Sequence, residues 1–245
     1  EITHSITLVK STKTLREEIL TLRKKEKQPV KTAAYGVSVE NLKVTYDEGE
    51  TLTYPNFTIK PGEKVLLTGD SGTGKSTLFK ALLGKIETKC GKITYFDKES
   101  RAITNANLGY LPQDPIVFPI SIKDNITMFV KRTEKQLMNV INNVELKNDL
   151  DKMPSGINTE VNLKKNNLSG GQRQKIVLAR SEIYHQPFVL MDEVTSAIDQ
   201  KATEEIITAL LKTDQTILMI AHNFTPELRA KFDQEIKLAK KGEEE

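Results

Sequence analysis

The period of the apolar positions changes several times along the chain, and each change predicts an element. Between Ile2 and about Lys27, the residues Ile6, Val9, Leu15, Ile19 and Leu22 recur at mixed spacings with basic residues between them, which predicts a helix. Pro29 breaks that pattern. "VSVENLKVTY" (Val37 to Tyr46) alternates as a strand does, so the folded domain is expected to start near Val37. Further on, β-rich runs ("EKVLLTG", "KITYF", "NLGYLP", "PFVLMDE", "QTILMIAH") take turns with helical stretches ("KSTLFKALLG", "KATEEIITALL"). Strands alternating with helices predict an α/β fold with a largely parallel central sheet. No repeat or low-complexity segment interrupts the pattern.

One stretch between a predicted strand and a predicted helix carries chemistry. "GDSGTGKST" runs from Gly69 to Thr77, and Gly69, Gly74, Lys75 and Ser76 fit G-x-x-x-x-G-K-[ST]. Glycines let the backbone turn its N–H groups inward as an anion nest, and the helix N-terminus adds its dipole. The stretch is read as a phosphate cradle made by Gly69, Ser71, Gly72, Gly74, Lys75, Ser76 and Thr77. Lys75 would reach the outer phosphates, and the Ser76 hydroxyl would ligate Mg²⁺, which prefers oxygen.

Two further constellations narrow the chemistry. "PFVLMDE" is an apolar strand ending in Asp192 and Glu193, two carboxylates at the sheet edge where open α/β folds place their ligands. Asp192 suits a magnesium ion held through water, and Glu193 suits a general base acting on the attacking water. "NNLSGGQRQKIVLARSEI" opens a helix with Ser169 and two glycines, a second phosphate-binding N-terminus. Two cradles exceed what one nucleotide needs, unless the two face different phosphates or one nucleotide bridges two copies of the protein.

Taken in order, these motifs resemble the nucleotide-binding domain of an ATP-binding cassette (ABC) ATPase over about Val37 to Leu238. "GDSGTGKST" is similar to that family's Walker A, Gln113 in "GYLPQDP" to its Q-loop, and "LSGGQ" (Leu168, Ser169, Gly170, Gly171, Gln172) to its signature. "VLMDE" is similar to Walker B, "SAID" (Ser196 to Asp199) to the D-loop, and His222 in "MIAHN" to the switch histidine. Tyr46 stands where the family has an aromatic that stacks on adenine.

The resemblance implies a P-loop fold with a mixed central sheet, an N-terminal antiparallel β region and a helical subdomain over about 114–180. It also implies a head-to-tail dimer holding two ATP molecules, each between one subunit's Walker A and the other's signature. Ser169 and Gly171 would then touch the γ-phosphate across the interface, and Gln113 would help hold Mg²⁺. His222 would orient the reaction, and Asp199 would communicate between sites. ATP binding would close the dimer, and hydrolysis would reopen it.

"LPQDPIVFPISIKDNI" resembles the exporter type, with an aromatic, a hydroxyl residue and an Asn-Ile pair after the glutamine. Residues 1–36 resemble the basic linker that follows a membrane domain in a fused polypeptide, and their positive surplus suits a segment just inside a membrane. The start at Glu1, without an initiator methionine, adds to the expectation of a fragment whose membrane domain precedes it. The sequence departs from the exporter pattern before the signature, where Asn162 and Leu163 align with a usual glycine and glutamate, and after His222, where Asn223 replaces a basic residue.

Composition bears on setting. The chain has 245 residues, 38% of them hydrophobic and 28% charged, in the range of ordinary globular proteins. A net charge of +3 concentrated near the N-terminus implies no general nucleic-acid surface. The single cysteine, Cys90, is expected as a small packing residue and requires no oxidising compartment. His4 and His185 are expected to be structural. The location expected is the cytoplasmic face of a membrane, with a second nucleotide-binding domain and a transmembrane domain as partners.

Other classes remain to be weighed. A stand-alone importer ATPase keeps the same chemistry but should lack the N-terminal helix, and a DNA-repair relative would carry a long coiled coil between Walker A and the signature. A tandem-cassette translation factor would have two copies of every motif. A catalytically silent nucleotide-gated module fits poorly with both Glu193 and His222 in place.

Overall fold

Runs such as "VLL", "FVLM" and "TILMI" show no polar alternation because helices or a second sheet cover both faces of their sheet. The computed structural model describes residue 17 and residues 31–45, 51–222 and 224–239. The expected helix over Ile2 to Lys27 lies outside these, Glu17 excepted, as do His4, Tyr46 and Asn223. Strands β1 (Thr32–Ala33), β2 (Gly36–Thr45), β3 (Thr51–Thr53) and β4 (Phe57–Ile59) precede β5 (Lys64–Gly69) and helix α1 (Lys75–Leu82). Next come β6 (Cys90–Phe96), β7 (Ala102–Ile103), β8 (Ala106–Asn107) and β9 (Gly109–Leu111). Helices α2 (Ile122–Thr127), α3 (Glu134–Asn143), α4 (Lys147–Leu150) and α5 (Gly170–Tyr184) follow. The chain continues through β10 (Phe188–Asp192), α6 (Gln200–Leu211), β11 (Thr216–Ile220), α7 (Pro226–Arg229) and β12 (Gln234–Leu238).

The expected mixture of strand directions is distributed over two main sheets. One has the order β12-β5-β11-β10-β9, and every pair in it is parallel. The other is antiparallel, in the order β3-β2-β6-β7, with β4 also on β2. Side chains of the parallel sheet alternate between two cores. Val65, Leu67, Phe188, Leu190, Leu218 and Ile220 face α1 and the antiparallel sheet, where Val37, Val39, Leu42 and Ile59 meet them. Leu66, Val189, Met191, Ile217 and Met219 point the other way, onto the helices. A period-2 element between two cores thus reads as continuously apolar.

The helical region is tied to the sheet by one polar hub. Asn125 is fully buried, and its Nδ2 donates to the carbonyls of Phe118, Ile120 and Ser121. From α5, Arg180 donates to the carbonyls of Asn125 (2.7 Å) and Ile116 (3.0 Å) and lies over the Phe118 ring. Burial lowers the Arg180 guanidinium to a pKa of about 10, which still leaves it charged at neutral pH. The loop leaving Gln113 is therefore fastened to the helix that carries the signature.

Two residues differ from or refine the sequence expectation. Cys90 is exposed rather than packed, because it begins β6 beside the irregular register between Glu40 and Lys43. His185 ends α5 in a left-handed conformation (φ 46°), with Nε2 3.0 Å from Asp214, a terminating role away from the site.

Near that helix end, the Glu182 carboxylate accepts from Asn143 Nδ2, while its Oε2 is buried without a hydrogen-bond partner among the described residues. Burial raises its pKa above the usual carboxylate range. A raised folded-state pKa means that folding favours the protonated form, so stability rises as pH falls through that pKa. Glu182→Gln keeps the acceptor for Asn143 and is expected to raise the Tm at pH values where the carboxyl is ionised, with the gain fading as pH falls through its raised pKa. Thermal unfolding of both proteins across that titration measures it; a pH-independent difference would contradict the assignment.

Candidate nucleotide site

Four neighbouring strands run in the same direction and therefore end at one edge of the sheet. Past β5 lies Gly69 to Thr77; β10 ends in Asp192 and leads to Glu193; β11 leads to His222; β9 leads to Gln113. Parallel topology is what gathers residues from four distant parts of the chain.

The loop after β5 is built around an internally bonded lysine. Lys75 is 8% exposed, and its Nζ donates to the carbonyls of Gly69 (2.7 Å) and Asp70 (2.9 Å), so the charge lies across the loop it must serve. Gly74, with φ 92°, precedes α1, and a Cβ there would come within 2.7 Å of Leu52 Cδ1 and 2.9 Å of the Tyr54 hydroxyl. Only glycine both adopts that conformation and leaves the space. The Tyr54 hydroxyl donates to the Gly74 carbonyl at 3.0 Å, which pins the loop to the antiparallel sheet.

The carboxylates occupy the other wall. Asp192 is buried and takes a hydrogen bond from the Ser76 side chain; burial and the neighbouring Glu193 raise its pKa, against the pull of Lys75 and His222. Both oxygens of Glu193 are engaged. Oε2 accepts from Gln113 Nε2 at 2.8 Å, and Oε1 lies 3.1 Å from His222 Nε2. Glu193 itself has φ 49°, a left-handed turn that bends the chain out of β10. Ser71, Gly72, Gly74, Lys75, Ser76, Thr77, Glu193, His222 and Leu52 line a cleft of about 290 Å³.

The signature residues sit apart from that cleft. Ser169 caps α5 by accepting from the Gln172 N–H (3.2 Å), while Gln172 Oε1 accepts from the Ser169 N–H (3.0 Å), and Leu168 is buried beneath them. Gly170 and Gly171 lie against Ala197 of the D-loop, so close that a Cβ on Gly171 would stand 2.8 Å from the Ala197 carbonyl oxygen. Asp199 caps α6 by accepting from the Ala202 N–H. Tyr46 lies outside the described residues.

The family model described as "ABC transporter" matches residues 52–196, more than half of the chain. The chain belongs to the ABC transporter family. It is 36% identical over 180 residues to the mesentericin-Y105 transport/processing ATP-binding protein MesD of Leuconostoc mesenteroides, an alignment spanning 69% of this chain and 24% of that protein. It is 31% identical over 211 residues to the lactococcin-A transport/processing ATP-binding protein LcnC of Lactococcus lactis subsp. lactis, spanning 82% and 29%. A bacterial Atm1-family ABC exporter with ATP bound superposes with a TM-score of 0.72 at 25% identity, over 86% of this chain and 38% of that one. The chain thus corresponds to less than two fifths of each of these proteins. The matched region is an ATP-binding ATPase domain of the ABC type.

Sequence reasoning missed three residues of this ABC site. Leu52 and Tyr54 stand two apart on the inner side of "TLTY", a period-2 signal that marks packing but not contact with the phosphate loop. Gln174 is 4% exposed and shares a helix face with the apolar Val177 and Leu178. A glutamine on such a stripe signals a specific buried partner.

Proposed function

We propose that this domain binds ATP with Mg²⁺ between two copies of itself, or between itself and a similar domain, and hydrolyses it to drive export through an attached membrane domain. The observation that carries the reading is Glu193, held at the cleft mouth by Gln113 on one oxygen and His222 on the other. In that position a carboxylate can take a proton from water attacking a phosphate seated on the Gly69–Thr77 loop. Lys75 and the loop N–H groups bind the phosphates, and His222 orients the γ-phosphate and Glu193 together.

A magnesium ion fits the donor set, because the Ser76 hydroxyl and Asp192 carboxylate are hard oxygen donors already bonded to each other. With the Gln113 amide oxygen they would hold it, and the cation would offset phosphate charge. Burial disfavours an ionised Asp192, and a cation beside it would favour that form.

The separation of signature from cleft supports a composite site. A helix N-terminus with a serine and two glycines, placed away from its own chain's phosphate loop, suits the phosphate of a partner. Attachment to a membrane domain is supported by Ile116 (59% exposed) and Leu163 (52%), the exposed large hydrophobics among the described residues. Their segments adjoin, since Ser121 bridges Glu160 antiparallel and the Val161 N–H donates to Ile120. No described helix is long and apolar enough to cross a membrane; in this reading the domain sits at the cytoplasmic face, and the spanning segments belong to a longer polypeptide or to another subunit.

Ser169→Arg tests the composite site. In a Glu193→Gln background with ATP, sedimentation is expected to show dimers that Ser169→Arg abolishes, while ATP affinity of the monomer changes less than about threefold. Dimers that persist in the arginine variant would exclude the signature from the interface.

A further inference from the structure

We infer that Gln174 is a positioning residue for hydrolysis, acting as a clamp that fixes the D-loop, and through it Glu193, to the signature helix. Its Nε2 donates to Ser196 Oγ at 3.0 Å and its Oε1 accepts from the Ala197 N–H at 3.0 Å, so one buried amide holds two consecutive residues. The backbone N–H of Ala197 can only donate, which fixes the orientation of the amide. Because Ser196 Oγ accepts from Gln174, its own proton remains available to donate outward from an exposed residue.

The clamp is short and its surroundings are tight. Ser196 N–H donates back to the Glu193 carbonyl at 3.1 Å, so the clamped residue is one hydrogen bond from the proposed base. On the helix side, Gly171 leaves no room for a side chain against the Ala197 carbonyl. A shift of the α5 N-terminus therefore moves Ser196 and Ala197 with it. Contact made at the signature by a nucleotide on another subunit would be transmitted to Glu193 in this one. The inference rests on the reading of Glu193 as the base, and its test separates the two.

The clamp is measured first without nucleotide. Gln174→Met keeps the volume and removes both hydrogen bonds, and amide exchange at Ala197 is expected to accelerate at least about tenfold while the apparent Tm stays within a few degrees. Gln174→Glu keeps an acceptor for Ala197 and another for the Ser196 hydroxyl, and is expected to restore most of the protection. Turnover is read second: Gln174→Met lowers kcat about tenfold with the KM for ATP within about twofold, and Gln174→Glu recovers it to within about threefold.

Unchanged exchange in Gln174→Met overturns the clamp. Faster exchange with wild-type kcat overturns the positioning role, and a parallel fall in Tm and ATP affinity assigns Gln174 to general stability instead. A glutamate variant as impaired as the methionine one also overturns the inference. If the wild-type protein fails to hydrolyse ATP, the reading of Glu193 fails, while the exchange result still decides the clamp.

Discussion

Glu193→Gln is expected to lower ATP hydrolysis about 10²–10³-fold while ATP affinity changes by less than about threefold. The Glu193 carboxylate combines a proton-accepting oxygen with two fixed neighbours, Gln113 at 2.8 Å and His222 at 3.1 Å. An amide of the same shape can keep its oxygen towards Gln113 and turn its NH₂ towards His222, whose Nε2 then becomes the acceptor. Geometry survives; proton acceptance does not. The lysine that serves the phosphates is held by the Gly69 and Asp70 carbonyls, so binding is spared and the ATP-bound dimer should accumulate. Phosphate release at saturating ATP, with affinity from equilibrium dialysis, tests this. Retention of more than about a tenth of the activity would reassign the base.

The contrast between what the sequence disclosed and what it hid follows from the range of the interactions. Gly69 to Thr77, Ser169 to Gln172 and Asp192–Glu193 were legible because each works through local backbone geometry: a nest, a capped helix, a strand end. Their convergence depended on strand order. Nothing in the spacing of "LPQ", "MDE" and "IAH" states that β9, β10 and β11 lie side by side; the resemblance implied only that Gln113, Glu193 and His222 serve one nucleotide, and the parallel register of the three strands brings them together.

Gln174, Tyr54 and Leu52 were hidden for the same reason in reverse. Each contacts the site through a partner distant in sequence, Ser196 for Gln174 and Gly74 for Tyr54, and a polar atom on an apolar stripe leaves only a faint mark in a pattern of periods. Cys90 misled because small sulfur residues are commonly buried, while its position at the irregular end of β6 is set by pairing with Lys43.

Lys75→Ala should remove nucleotide binding more completely than any change at the carboxylates. Its ammonium is buried to 8% exposure and bonded to the Gly69 and Asp70 carbonyls, so it is both the loop's cation and its internal brace. Truncation takes the positive charge from beneath the phosphates and leaves two carbonyl oxygens without that donor. Charge-assisted hydrogen bonds contribute about 1.5–3 kcal/mol each, so losing contacts to two phosphates weakens ATP binding by about 10²-fold or more. The effect on the protein alone is smaller, because the two carbonyls can turn towards water at the cleft. Calorimetric titration with ATP and thermal unfolding without it separate the two effects. Weak binding with a nearly unchanged Tm is expected. Wild-type affinity in the alanine variant would mean that the backbone nest holds the phosphates unaided, and that the lysine serves chiefly to keep the loop in shape until they arrive.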